Sequence, residues 1–253
     1  GNLWRAHNDK LLQSVSSDIL DSKIDSKYKD PDNYWFGLSL RARIAVYAAE
    51  RVDKNKLLGY KSLANPEFKG RVLIRSSSNI YNQSLIAHMI SKYGLVEAEK
   101  WAMGLVRNFA RDPAGGDRDQ VKALAAGEGD IAIVNSYYVA NMMDTDNKNL
   151  FDKLRIYFPN DDFMGTHLNI SGAAVLKNAP NVNNAIKFIE FLASDEAQYI
   201  YANINYEYPV VKGIKIPFIL QEFGSYIEDN ILTNEYGKLS SEAIKLADRV
   251  GWK

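Results

Sequence analysis

Apolar runs that hand over to helices through short polar caps predict an α/β fold for this 253-residue chain. Three observations carry that expectation. Buried-strand patterns occur at 71–74 (RVLI) and 130–134 (DIAIV). Each is followed by cap chemistry, Ser76-Ser77-Ser78-Asn79 after the first and Asn135-Ser136 after the second, and then by a helical apolar pattern. No internal repeat or low-complexity segment is visible, which argues against solenoids and arrays. The alternation predicts sheets that are mostly parallel.

Taken in order, residues 35–47 read as one long extended segment, with a break at 53–55. The helix after SSSN carries Leu85, Ile86, Met89 and Ile90 on one face, and Gly94 suits its C-terminus. A second helix places Ala98, Trp101, Ala102, Leu105 and Val106 at i, i+3 and i+4 spacing, and the turn-rich DPAGGD at 112–117 ends it. A short helix at 120–126 stops at Gly127, and the helix after 130–134 holds Tyr137 and Tyr138 in its first turn. Strands are expected at 154–158 and 169–176. Pro180-Asn181 opens a helix predicted to bury Ala185, Ile186, Phe188, Ile189 and Leu192, Ser194-Asp195-Glu196 caps the next, and 240–250 is amphipathic.

Composition narrows the function classes. Hydrophobic residues make up 46%, ordinary for a folded domain, and Lys+Arg and Asp+Glu both total 31, so no basic surplus points to nucleic acid or an anionic membrane. Cysteine is absent, which removes thiol catalysis, disulfides and cysteine-based zinc sites. His7, His88 and His167 are the only histidines and lack metal-ligand spacing. No run of 18 apolar residues is present and no signal peptide precedes Gly1, so the expectation is a soluble chain, cytoplasmic or already processed. Tyrosine is abundant, 15 residues against 10 phenylalanines, and for any one of them packing by an amphipathic ring is the default.

Position singles out three. In an open α/β sheet ligands bind beyond the carboxyl ends of the strands. Tyr81 follows one such handover and Tyr137-Tyr138 the other, so the three rings share an edge if the two strands lie in one parallel sheet. Three convergent phenolates suit a small hard cation such as Fe³⁺, which can deprotonate groups that otherwise titrate near pH 10. No DxDxDG-like loop for Ca²⁺ is present. From position alone, a core-edge Tyr81 with the pair split one in, one out remains open.

The segments RSSSNIYNQSL (75–85), AAGEGDIAIVNSYY (125–138), WFGLSLRAR (35–43) and GNLWRA (1–6) resemble the periplasmic ferric-iron-binding proteins of bacterial and cyanobacterial iron ABC importers. Similarity continues through NISGAAVLKNAPN (169–181), FLASDEAQ (191–198) and NYEYPVV (205–211), and so covers nearly the whole chain. The resemblance implies that Tyr81, Tyr137 and Tyr138 bind iron, and that Arg41 of SLRAR lies near it as a second-sphere charge or anion partner. It implies a synergistic anion such as carbonate as a candidate co-ligand, a periplasmic location, delivery to the membrane permease of an ABC importer, and a monomer. The fold implied is the bilobal periplasmic-binding-protein fold of type II. Its first lobe would comprise 1–43 plus 165–230 and its second 44–164 with the three tyrosines; 231–253 would pack back on the second lobe. Crossings at 43–46 and 165–169 would form the hinge. Family members begin with a stretch of about 60 residues before the segment matching GNLWRA, by the size of βαβ units. It normally adds a tyrosine, often beside a histidine, from the opposite lobe, so His7 is not recruited as a substitute. The resemblance therefore implies a truncated or clipped polypeptide, with a non-covalently retained N-terminal fragment as a candidate partner.

Two other readings compete. An enzyme is disfavoured because GxSxG, P-loop and HExxH motifs are missing, and Asp161-Asp162, beside Pro159 and Asn160, reads as a solvated turn. A binding protein for an organic cation held in an aromatic cage is the closer alternative. A cage needs ring faces, whereas ferric binding needs ring oxygens at one point.

Overall fold

A computed structural model of the chain describes residues 1–145, 151–229 and 233–253. Its helices are α1 (Asn2–Asn8), α2 (Asp18–Lys23), α3 (Gly59–Ser62), α4 (Ile80–Tyr93), α5 (Leu95–Arg107), α6 (Asp117–Ala125), α7 (Ser136–Thr145), α8 (Val182–Leu192), α9 (Asp195–Asn203), α10 (Phe218–Glu222), α11 (Thr233–Lys238) and α12 (Ser240–Val250). Its strands are β1 (Leu12–Gln13), β2 (Phe36–Ala48), β3 (Val72–Leu73), β4 (Ile131–Asn135), β5 (Leu154–Tyr157), β6 (Leu168–Ala173), β7 (Val175–Leu176) and β8 (Tyr208–Pro209). The expected lobe boundaries include 146–150 and 230–232, which lie outside the described residues.

β2 organises the molecule. All of its 13 residues except Arg41 are buried, as a near-continuous apolar run predicts for a central strand. Up to Ala42 it pairs with β6, Ala42 lying opposite Leu168, and with β8. From Arg43 onward it pairs with β4, Arg43 opposite Asn135, and with β5. One strand therefore serves two halves of the fold, and it changes partners between Ala42 and Arg43.

The expectation of mostly parallel sheets fails. β3 and β4 pair in parallel, Val72 opposite Ile131 and Leu73 opposite Ala132, while β2 is antiparallel to all four of its partners and β1 to β7. Parallel pairing needs a crossover connection. Helices α4 to α6 supply one between β3 and β4, whereas the long β2 runs against every strand that flanks it.

The pleat of these strands separates two cores. Leu38, Leu40, Ala42, Ile44, Val46 and Ala48 of β2 pack on one side, with Leu73, Ala132, Val134 and the apolar residues of α6 and α7. Ala45 and Tyr47 point to the other side, with Val72, Ile131 and Ile133. That second side is covered by α4, α5 and α12, and it includes Trp252, whose ring meets Trp101 and Phe109 edge-on. One expected core face departs from prediction. On α8 Ile189 is buried, but Ala185, Ile186 and Leu192 are half-buried and Phe188 is 60% exposed. The helix rests on β7 and α9 along a narrow line, and β6 is half-exposed from Ile170 to Ala173, so among the described residues no layer covers that side.

Candidate metal centre

The parallel pairing of β3 and β4 puts both strand-to-helix handovers at the same end of the sheet. After β3 a turn leads into α4, where the Asn79 side chain accepts a hydrogen bond from the Tyr81 backbone N–H at 2.9 Å. Asn82 pins that turn from inside, its amide donating to the carbonyls of Arg75 and Ser76 at 2.8 and 3.1 Å. β4 passes into α7 without a loop. Ser136 and Asn135, read from the sequence as caps, engage β2 instead: Ser136 Oγ accepts from the Ala42 N–H at 3.2 Å, and Asn135 Oδ1 accepts from Arg43 at 3.3 Å.

These two helix starts bring Tyr81, Tyr137 and Tyr138 together. The phenols of Tyr137 and Tyr138 act on each other and each feels that of Tyr81, so the three half-buried side chains are neighbours at this edge. The rings of Tyr137 and Tyr138 lie 4.0 Å apart, tilted by 34°. Burial, joined by the hydrogen bonds to Tyr138 and Tyr81, pushes the Tyr137 phenol well above its ordinary range. Burial also raises that of Tyr138, although its bond to Tyr137 works the other way. In the absence of a cation the Tyr137 and Tyr138 phenols hold their protons.

Four guanidinium groups surround the rings. Arg41 lies 5.7 Å from the Tyr81 centroid and 5.9 Å from that of Tyr137, Arg43 and Arg75 lie 6.0 and 5.6 Å from Tyr81, and Arg118 lies 5.8 Å from Tyr138. Their positive charge and the helix N-termini favour anionic oxygen at this edge. Arg41, singled out in the sequence, sits on β2 opposite Asn169 of β6. It lines a cavity of about 80 Å³ with Tyr81, Ser84, Asn169 and Tyr236. Arg41 Nε and Asn169 Oδ1 are buried without a protein partner. An unpaired buried donor and acceptor on residues lining one small cavity suit a water, which can accept from the one and donate to the other.

Sequence reasoning missed Arg43, Asp117 and Asn82, which form a fully buried network behind the tyrosines. Arg43 Nη1 donates to Asp117 Oδ2 at 2.6 Å and Nη2 to Asn82 Oδ1 at 2.8 Å. A signal was available: Arg43 is a cation inside a largely apolar strand, and such a charge, when buried, needs a partner. The histidines also behave unexpectedly. His7 stacks on Tyr34 and meets Asp30 at 3.1 Å. His88 and His167, far apart in sequence, face each other Nδ1 to Nδ1 at 2.9 Å. His88 Nε2 lies 3.1 Å from Asp229, and His167 Nε2 lies 2.9 Å from Ser84 Oγ. Among the described residues no group of three or more His, Cys, Asp or Glu is placed to hold a metal, so the donor set at this edge is phenolic.

Residues 3–234 match a family model described as bacterial extracellular solute-binding protein. Iron uptake protein A1 of Synechocystis is 41% identical over 99% of this chain and 71% of its own length. A Trichodesmium FutA (IdiA) protein, solved in complex with iron and citrate, is 50% identical with a TM-score of 0.94, over 99% of this chain and 80% of that one. A ferric binding protein from Campylobacter jejuni is 38% identical with a TM-score of 0.95, over 100% of this chain and 81% of that one. The two-lobed α/β architecture expected from the sequence is the one these structures share.

Proposed function

Because the chain belongs to the family of bacterial extracellular solute-binding proteins, we propose that it binds ferric iron in the periplasm and delivers it to an ABC-type importer. The observation that supports this reading is the juxtaposition of three tyrosine side chains at the starts of α4 and α7, ringed by guanidinium groups. The names of similar proteins, iron uptake protein and ferric binding protein, support it.

In this reading Tyr81, Tyr137 and Tyr138 supply phenolate donors. As each Fe–O bond forms, one phenol proton leaves to solvent, and three phenolates balance the ion's three positive charges. The helix N-termini help by about 0.3–1 kcal/mol each; the ion itself supplies most of the drive. Arg41 would hold a synergistic anion such as carbonate. The lobes, 1–43 with 165–230 and 44–164 with 231–253, would close about the partner change in β2. The protein would act as a monomer. The apolar surface left open on α8, with Phe188 60% and Phe191 48% exposed, supports a further segment on the first lobe, such as a retained N-terminal fragment. Mass spectrometry under denaturing conditions detects one if it is present.

An organic-cation cage fits less well, because the faces such a ligand would need are already engaged. Tyr137 and Tyr138 cover each other, and guanidinium groups stand over Tyr81. Titration with ferric citrate tests the proposal: a visible phenolate-to-iron charge-transfer band should saturate at one ion per chain. A featureless spectrum would remove the ferric reading.

A further inference from the structure

Behind the three tyrosines lies a charged device that a packing role does not explain. The Arg43 and Asp117 side chains are both fully buried, 0% exposed, and meet at 2.6 Å. A buried ion pair is a poor way to stabilise a core, since apolar side chains of similar size often do as well or better. Here it also leaves Arg43 Nε without a partner. What the guanidinium offers over an apolar residue is direction, because its planar fork fixes two sets of donors at a set angle.

Each arm of that fork reaches one part of the tyrosine site. Nη2 donates to Asn82 Oδ1 at 2.8 Å, and Asn82 follows Tyr81 on α4 and holds the turn before it. Nη1 donates to Asp117 Oδ2 at 2.6 Å and to Asn135 Oδ1 at 3.3 Å. Asp117 Oδ2 in turn accepts from the Asn135 backbone N–H at 2.7 Å, and Asn135 is the last residue of β4 before the turn bearing Tyr137 and Tyr138. The backbone of Arg43 stands where β2 changes partners, its N–H donating to the His167 carbonyl at 2.8 Å.

We infer that Arg43 is a positioning residue of the tyrosine site: its fork holds α4 and the β4–α7 turn at one spacing and so sets the separation of Tyr81 from Tyr137 and Tyr138. This rests on the ferric reading above. Bonds from oxygen to a hard cation are about 2 to 2.6 Å long. They tolerate errors of only about 0.2 Å. A relative shift of α4 against α7 that a core would accept therefore removes Tyr81 from the donor set. Asp117 acts through Arg43, Asn82 both through Arg43 and by pinning the turn before Tyr81, and neither touches an ion itself.

The test is a double-mutant comparison in the intact protein. Arg43→Lys keeps the charge and loses the fork; Asn82→Asp keeps the acceptor for the Arg43 arm and loses the bonds to the Arg75 and Ser76 carbonyls, whereas Asn82→Ala loses both and leaves the Arg43–Asp117 pair intact. Each is made in the native and in the Tyr81→Phe background. Ferric affinity is measured by competition with citrate, and the charge-transfer band is recorded alongside. If Arg43 works by placing Tyr81, Arg43→Lys and Asn82→Ala each weaken binding by about tenfold in the native background and shift the band, and Asn82→Asp weakens it less than Asn82→Ala. In Tyr81→Phe the same change costs less than about threefold, the mark of coupled sites. Equal losses in both backgrounds, or an unchanged band and affinity, overturn the inference. Should Arg43→Lys fail to fold, Asn82→Ala against Asn82→Asp decides alone, and a loss as large in Asn82→Asp overturns the inference. A native protein that gives no band removes the ferric reading itself, whereas a native band with equal losses removes only the role of Arg43.

Discussion

Acidification from pH 7 to pH 5 is expected to destabilise the protein through His88 and His167. Both side chains are 0% exposed, and burial lowers both below the ordinary imidazole range, His167 the more strongly because His88 and Arg43 add repulsion. Their contact at 2.9 Å, Nδ1 to Nδ1, requires one of the two nitrogens to accept. With Asp229 accepting from His88 Nε2–H, neutral His167 donates from Nδ1 to His88 and accepts at Nε2 from Ser84. Lys92, Tyr236, Asn169 and the amino group of Gly1 complete the surroundings. A group whose folded pKa is depressed in this cationic sense stays neutral in the fold while the unfolded chain takes up a proton. Stability is thus complete above the unfolded value of about 6.5 and is lost as pH falls below it. Each histidine removes about 1.4 kcal/mol per pH unit. Two together remove up to about 4 kcal/mol between pH 6.5 and 5. His88 falls short of the limit because Asp229 works against its depression. At about 2 to 4 °C per kcal/mol the midpoint should drop by roughly 8 to 16 °C. Calorimetric melts of the iron-free protein at half-unit pH steps measure it, and in His88→Gln the slope should fall by about half. A midpoint that is flat from pH 7 to 5, or an unchanged slope in the variant, would refute this account.

Three further outcomes are expected. Trp252→Ala empties a site that is 1% exposed between Trp101 and Phe109, and should cost about 3 to 5 kcal/mol in urea unfolding; a loss below 1 kcal/mol would show that the C-terminus packs loosely in solution. Tyr137→Phe and Tyr138→Phe each delete one oxygen from the converging set, and ferric affinity by chelator competition should fall at least about tenfold in each, the 1.4 kcal/mol scale of one lost contact. Arg41→Ala should speed iron release in the presence of carbonate or citrate more than in their absence; equal release rates would reduce Arg41 to a side chain that merely covers Tyr81.

Much of this was legible before any coordinates. Periodicity located the strands RVLI and DIAIV, their polar caps located the helix starts, and Asn79 is indeed the residue that closes the first turn of α4. Strand direction was not legible, because an apolar run of 13 residues states burial and not which way its neighbours run. The face of α8 misled for a related reason: periodicity reports which side of a helix is apolar and says nothing about whether a layer exists to cover it. The buried polar network was the hardest part. Asn82, Asp117 and Asn135 are ordinary turn and cap residues by type, and only their meeting around Arg43 gives them a role. His88 and His167 likewise carry no local spacing signal, since the chain brings them together across two separate elements.

The partner pattern of β2 also governs the order in which this chain can fold. Among the described residues its partner strands begin at Ile131, Leu154, Leu168 and Tyr208, with only the Lys29–Phe36 bridge nearer in sequence. Its pairing is therefore mostly non-local, and closing loops of that length makes such pairing slow. Until it pairs, a long apolar segment with free backbone groups on both edges is exposed to other chains. Arg41 and Arg43, two cations placed within that segment, give it a measure of charge while it is unpaired. The same strand that joins the two halves thus depends, for every strand that pairs with it, on residues distant in sequence.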